Sequence, residues 1–171
     1  QGHPSKTSIG RHDLSSDTTT ASPKGPLDFV QKEMAAVGNQ THGYWGGGET
    51  PALVSKVQRL EWANDTVAAS TKGNLTANKK QVTATGSDSF GYFSGGLAPW
   101  PDRISTVDRV DYSNDTATAS PKGPLSSTRY ALAATGNSDF GYFGGGTPGP
   151  NISTVDRIDY SNDTGTAPTK G

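Results

Sequence analysis

The sequence predicts an all-β fold built from tandem repeats, and three observations carry that expectation. The composition is 30% hydrophobic and 18% charged, with 22 Gly and 11 Pro, poor material for helices and suited to short strands joined by many turns. The phrases "GYWGGG" (43–48), "GYFSGG" (91–96) and "GYFGGG" (141–146) recur. So do single landmarks: Arg11, Arg59, Arg109 and Arg157 are separated by 48, 50 and 48 residues, as are Asp17, Asp65, Asp115 and Asp163. Self-similarity at such a period is the signature of a repeat architecture.

The register divides the chain into a half repeat at 1–25 and full repeats at 26–73, 74–123 and 124–171. Residue 1 falls in mid-repeat. That predicts a piece of a longer repeat protein; the alternative is a half repeat that closes a ring with the last one. In the third repeat, 129–136 ("RYALAATG") reads as a strand, 137–140 ("NSDF") as a turn and 141–146 as a second strand ending in glycines. A loop follows (147–153), then a third strand at 154–161 ("TVDRIDYS") and a weak edge strand at 164–168 ("TGTAP"). Val155, Arg157 and Asp159 alternate with Asp156, Ile158 and Tyr160, which places Ile158 and Tyr160 toward a core. Four short strands per repeat of 48 to 50 residues describe a propeller blade. Three and a half blades fall short of the usual ring of about 4 to 8, so closure calls for further sequence, a second chain or an open stack.

An aromatic followed by glycines, a loop, then "TVDRIDYSNDT" resembles the kelch repeat over essentially the whole chain. The resemblance implies kelch-like blades of four antiparallel strands. It departs from the family after "YSNDT", where the outer-strand Trp is replaced by Thr, Ala, Pro and Ser. The wording of "DRIDYSNDTATASPKGPLS" and "AATGNSDFGYFGGG" also resembles repeat-containing structural proteins of marine bacteriophages, which implies a virion setting such as a tail fibre.

Each repeated phrase has a structural reading. Gly47, Gly95 and Gly145 are expected where a strand packs too closely for a β-carbon or needs a positive φ; no Lys-Ser/Thr and no helix pattern follow to make a phosphate loop. The "NDT" phrases holding Asp65, Asp115 and Asp163 read as Asx-type turns, and calcium is disfavoured because closely spaced oxygen ligands are missing. Asn39, Asn64, Asn74, Asn114, Asn151 and Asn162 head N-x-Ser/Thr triplets, open to glycosylation in a eukaryotic secretory setting. Arg59, Arg109 and Arg157 stand two residues before Glu61, Asp111 and Asp159, the pattern of repeated ion pairs that fix register, within or across modules. "PKGPL" at 23–27 and 121–125 separates one module from the next.

No catalytic set recurs. His3, His12 and His42 lie in the first quarter of the chain and have no repeated partners, and without Cys there is no thiolate nucleophile, zinc-thiolate site or cysteine-tyrosine copper centre. The expectation is therefore a protein that is not an enzyme, with no metal and no cofactor. Net charge of -1 predicts neither a nucleic-acid nor a polybasic membrane partner, and no stretch reaches the roughly 20 apolar residues of a membrane helix. Contact is expected where modules differ, at 49–56, 97–105 and 147–153, with Trp100 foremost and Trp45, Tyr92 and Tyr142 as further aromatic contacts. The leading expectation is a structural or adhesive module of a virion appendage, contacting surface glycan, other virion proteins or further copies of itself. The alternatives are a kelch-type protein-interaction propeller, secreted or cytoplasmic, and a carbohydrate-active enzyme on the same scaffold.

Overall fold

A computed structural model describes residues 7–16, 18–99 and 101–171. The first sheet pairs β1 (Ile9–Arg11) with β2 (Ser22–Lys24). The second runs β3 (Ala35–Gly38), β4 (His42–Gly46), β7 (Lys56–Glu61), β8 (Ser70–Asn74), with a small hairpin of β5 (Glu49–Thr50) and β6 (Ala52–Leu53) in the loop after β4. The third runs β9 (Thr83–Gly86), β10 (Phe90–Ser94), β11 (Val107–Asp111), β12 (Ser120–Lys122). The fourth holds β13 (Ala133–Gly136), β14 (Phe140–Gly144) and β15 (Val155–Asp159). All neighbours are antiparallel, and all but β4 and β7, which the β5–β6 hairpin separates, are consecutive along the chain.

Four-stranded sheets thus form twice. The edge strand expected at 164–168 lies later and is shorter: beside a bridge of Asp156 with Thr169, the Arg157 amide donates to the Pro168 carbonyl (3.0 Å) and the Lys170 amide to the Val155 carbonyl (2.7 Å), while the Val155 amide donates to Gly171; Pro168 has no N–H to extend the ladder. Among the described residues no strand pairing joins the last sheet to the first.

The core lies between sheets rather than within any one of them. The central strands pack on both faces, because alternate side chains serve the two neighbours. On β10 and β11, Phe93 and Val110 join a cluster with Tyr44 and Val57 of the preceding module and Leu75 of their own. Tyr92 and Val107 join one with Leu132, Phe143 and Ile158 of the following module. A smaller cluster of Leu27, Leu60 and Ala69, flanked by Ile9, Met34 and Trp45, ties the first sheet to the second.

The first strands of the full modules lie side by side, β3 against β9 and β9 against β13. Just ahead of each, Glu33, Gln81 and Ala131 take left-handed backbone (φ 57°, 52° and 54°), and amides donate along the row from Gln81 to Glu33 (2.8 Å) and from Ala131 to Gln81 (3.4 Å). Such backbone is costly for a residue with a β-carbon; its recurrence at the same place in three modules ties it to the stacking. The glycine of "PKG" and its "TKG" copy marks the tightest approach. Gly25, Gly73 and Gly123 donate to the carbonyls of Asp65, Asp115 and Asp163 at 2.8 Å. A β-carbon on Gly73 would sit 1.8 Å from the Ala117 carbonyl oxygen.

Candidate functional site

The recurring charged and aromatic residues meet at the joints between modules. Arg59 on β7 reaches forward to Asp115 (2.7 Å), and Arg109 on β11 reaches Asp163 (2.8 Å). The Tyr44 hydroxyl donates to the same oxygen of Asp115 (3.1 Å), and the Tyr92 hydroxyl to Asp163 (2.9 Å). Lys72 and Lys122 flank the other carboxylate oxygen at 3.6 and 3.4 Å. Each tyrosine ring also stacks on a tyrosine of the next module: Tyr44 on Tyr112 with centroids 4.6 Å apart, Tyr92 on Tyr160 at 4.8 Å. Burial, followed by the charge of Asp115, pushes the Tyr44 phenol up to about 12, and burial raises Tyr92, Tyr112 and Tyr160 as well.

The "NDT" aspartates are therefore not the heads of Asx turns: Asp65, Asp115 and Asp163 are the acceptors of ion pairs that cross from one module to the next. The turn role falls to Asp13, Asp111 and Asp159, each accepting from the amide and hydroxyl of the serine two residues on. Hydrogen bonding to those serines holds all three carboxyls below the usual aspartate value. Arg11, Arg59 and Arg109 accordingly pair across modules, and beside Arg11 and Arg109 the nearby acid is left to its turn.

A second recurring pair was not foreseen. Lys79 and Asp108 form an ion pair with both side chains fully buried (3.0 Å), and Arg129 with Asp156 another (2.8 Å). Asp108 also accepts from the Thr76 amide and hydroxyl (3.0 and 2.6 Å), and Asp156 does the same with Ser126 (2.9 and 2.7 Å). In the first full module Gln58 takes the aspartate's place and donates to Gln31 at 2.8 Å, while accepting from the Asp28 amide at 2.6 Å. The three pairs occupy equivalent positions, and the residues change together from ionic to neutral. That co-variation inside one chain is the signal that could have found them.

The predicted contact aromatics separate. Tyr92 is wholly buried in the second joint, so it is an internal strut and not a surface contact. Trp45 is half-buried and lines an apolar cavity beside Trp62. Tyr142, the counterpart of Tyr44 and Tyr92, is half-buried on β14. Trp100 lies outside the described residues, as do Asp17 and His3. Gly47, Gly95 and Gly145 have the positive φ expected of them (72°, 63° and 68°).

Two surfaces remain at opposite ends of the sheets. At one end the turns after β3, β9 and β13 converge on a polar cleft of about 350 Å³, with Gln40, Asp88 and Ser138 at the three tips. Asn39, Ser87 and Asn137 shape those turns by accepting local amides, and the Asn39 amide crosses to the Asp88 carbonyl (2.9 Å). At the other end the divergent loops of two neighbouring modules meet. Glu49 and Leu53 face Lys80, Leu97 and Ala98 across a cleft of about 350 Å³. Glu49 joins Lys32 and Lys80, both at 2.8 Å, and Lys80 also approaches Glu33 (3.3 Å). The Lys32 and Lys80 hydrogen bonds hold the Glu49 carboxyl below its usual value, and the Glu49 bond raises Lys80. Among the described residues no three His, Asp or Glu side chains gather in a metal-binding group. No protein-family model matches the chain, and no curated protein matches its sequence.

Proposed function

We propose that this chain is a run of kelch-like propeller blades serving as a structural or adhesive module of a virion appendage, with no catalytic activity of its own. The observation that carries the reading is the joint: the arginine, lysine and tyrosine of each of the first two full modules are consumed, with the aspartate of the next, in fastening one module to its neighbour. Groups held in that way are unavailable for substrate. Sequence divergence is confined largely to the loops at one end, where two modules build the Glu49, Leu53, Lys80, Leu97 cleft, and divergence on a rigid frame is where contacts belong. The sequential antiparallel sheets, with their first strands side by side, support the blade reading; the phage-like wording supports the virion setting.

The loop end is the adhesive surface in this reading, and the ligand is a surface glycan or another virion protein. Fluorescently labelled chain on a glycan array, together with antibody against the chain on fractionated virions, tests it. The expected result is binding to a restricted glycan set that Lys80→Ala or a charge placed at Leu97 abolishes, and antibody signal on intact particles. A chain that binds no glycan and is absent from virions, but captures one soluble cellular protein, would replace the proposal with a protein-interaction propeller.

A further inference from the structure

Both walls of the cleft at the loop end belong to full modules: Glu49 and Leu53 to the first, Lys80, Leu97 and Ala98 to the second. Backbone bonds fix the two walls. Glu49 and Lys32 exchange amide-to-carbonyl bonds (3.0 and 3.3 Å), and Leu97 and Lys80 do the same (2.8 and 3.0 Å). Glu49 also pairs with Leu53 across the β5–β6 hairpin, which sets the acid beside the leucine. The equivalent groove of the next joint differs at each of these places. The strand bridges match Glu49 with Leu97, Lys80 with Tyr130 and Leu53 with Arg103, and there the Arg103 guanidinium lies over the Tyr130 ring at 5.9 Å. Of these two grooves the first alone sets a carboxylate and an ammonium together beside apolar side chains.

The two charged groups have bonding capacity to spare. A carboxylate offers about four lone-pair positions and an ammonium three N–H donors. Glu49 gives one position to Lys32 and one to Lys80, both at 2.8 Å, while Lys80 gives one donor to Glu49 and a longer one to Glu33 at 3.3 Å. Glu49 therefore keeps acceptor sites and Lys80 a third donor, on atoms that touch one another. Their side chains are 17% and 24% exposed, within reach of a ligand yet partly shielded from water. Both are charged at neutral pH, since the lysine bonds lower the Glu49 carboxyl and the Glu49 bond raises Lys80.

We infer that this cleft binds the acetamido group of an N-acetylhexosamine, with the methyl against Leu53, Leu97 and Ala98, the N–H donated to Glu49 and the carbonyl accepting from Lys80. It rests on the adhesive reading of the loop end, and the acetamido group is then what that end selects. A secondary amide carries one donor and one acceptor next to its methyl, the complement of an acceptor and a donor next to an apolar wall. A sugar bearing only hydroxyls brings no methyl to that wall, and a hydroxyl buried there without a partner costs free energy. An anion meets Glu49 and Glu33, and a cation meets Lys32 and Lys80, so a neutral amide is the class that both signs of charge accept. The walls are already held by backbone bonds, which leaves little to order on binding.

The experiment uses the whole chain and the methyl glycosides of N-acetylglucosamine and N-acetylgalactosamine, with those of glucose and galactose as controls that lack the acetamido group. Titrations are followed by the methyl signals of Leu53, Leu97 and Ala98 in proton-carbon NMR. The expected result is a saturable shift by at least one N-acetylated glycoside, with its control at least about tenfold weaker. Leu53→Arg, which copies Arg103 into the first groove, is expected to abolish the shift, while unchanged amide signals of β10 and β11 verify that the variant is folded. Equal affinity for a glycoside and its control, or no saturable shift by either N-acetylated sugar, would overturn the inference using the unmodified chain alone. The adhesive reading fails separately, by absence of the chain from virions; loop-end binding of acetamido-free glycans alone would sink the inference and leave that reading standing.

Discussion

The chain contains its own experiment on a buried ion pair: Lys79 with Asp108 in one module and Gln31 with Gln58 at the equivalent place in another. Changing Asp108→Gln alone leaves the Lys79 ammonium buried without its counter-charge, with only long contacts to the Phe93 carbonyl and the Thr106 hydroxyl, both 3.4 Å. Changing Lys79→Gln alone leaves a carboxylate held by Thr76 but uncompensated. Burial already pulls the Lys79 pKa down, against the attraction of Asp108. Each single change should cost about 3 to 5 kcal/mol, the penalty for half of a buried pair. The double change Lys79→Gln with Asp108→Gln rebuilds the neutral arrangement of the first module and should cost about 2 kcal/mol or less. Urea unfolding of the four proteins at pH 7 closes the cycle, and the predicted coupling is at least about 2 kcal/mol. Single changes costing under about 1 kcal/mol, or a double that equals the sum of the singles, would refute the view that these two positions act as one unit.

Other outcomes follow from the joints. Tyr92→Phe removes a buried hydroxyl donated to a carboxylate and should lower stability by about 1.5 to 3 kcal/mol in the same urea assay; Tyr142→Phe, at a half-buried position whose hydroxyl has no hydrogen-bond partner among the described residues, should cost much less. Gly73→Ala drives a β-carbon into the Ala117 carbonyl and should prevent or severely weaken folding, while Gly165→Ala, with open space around the added carbon, should be nearly neutral by thermal melting. Alkaline pH should loosen the joints. The folded chain keeps the raised tyrosine protons above pH 10, where unfolded tyrosines release theirs, so it binds more protons than the unfolded chain and loses stability as pH rises from about 10 toward 12. A melting temperature flat across that window would contradict the buried placement of Tyr44, Tyr92 and Tyr112.

Much of the strand plan was legible because it is local. Alternation in "TVDRIDYS", the glycine phrases and the turn at 137–140 all act within a few residues; β13 and β15 lie inside the stretches read as strands, and β14 begins one residue before its own. The joints were not legible in the same way. Arg109 has Asp111 two residues away and Asp163 fifty-four away, and sequence proximity favours the first; the carboxylate of Asp111 is already occupied by Ser113, which leaves the distant one. Tyr92 was read as a contact because an exposed and a buried aromatic on a strand look alike until both faces are known to be covered. The Lys79, Arg129 and Gln31 pairs were in view only to a comparison of modules position by position, since no single copy marks a charged residue as buried.

The modules fasten directly to one another, and the Gly73 and Gly123 amides report on that most directly. Each donates across a joint to an aspartate carbonyl of the next module at 2.8 Å. Native-state hydrogen exchange read by NMR should find both amides exchanging only through global or near-global opening, as slowly as the amides of the central strands β4 and β10. Exchange of these two amides at the rates of exposed turns, with the central strands still protected, would mean that the sheets form without docking and would contradict the account.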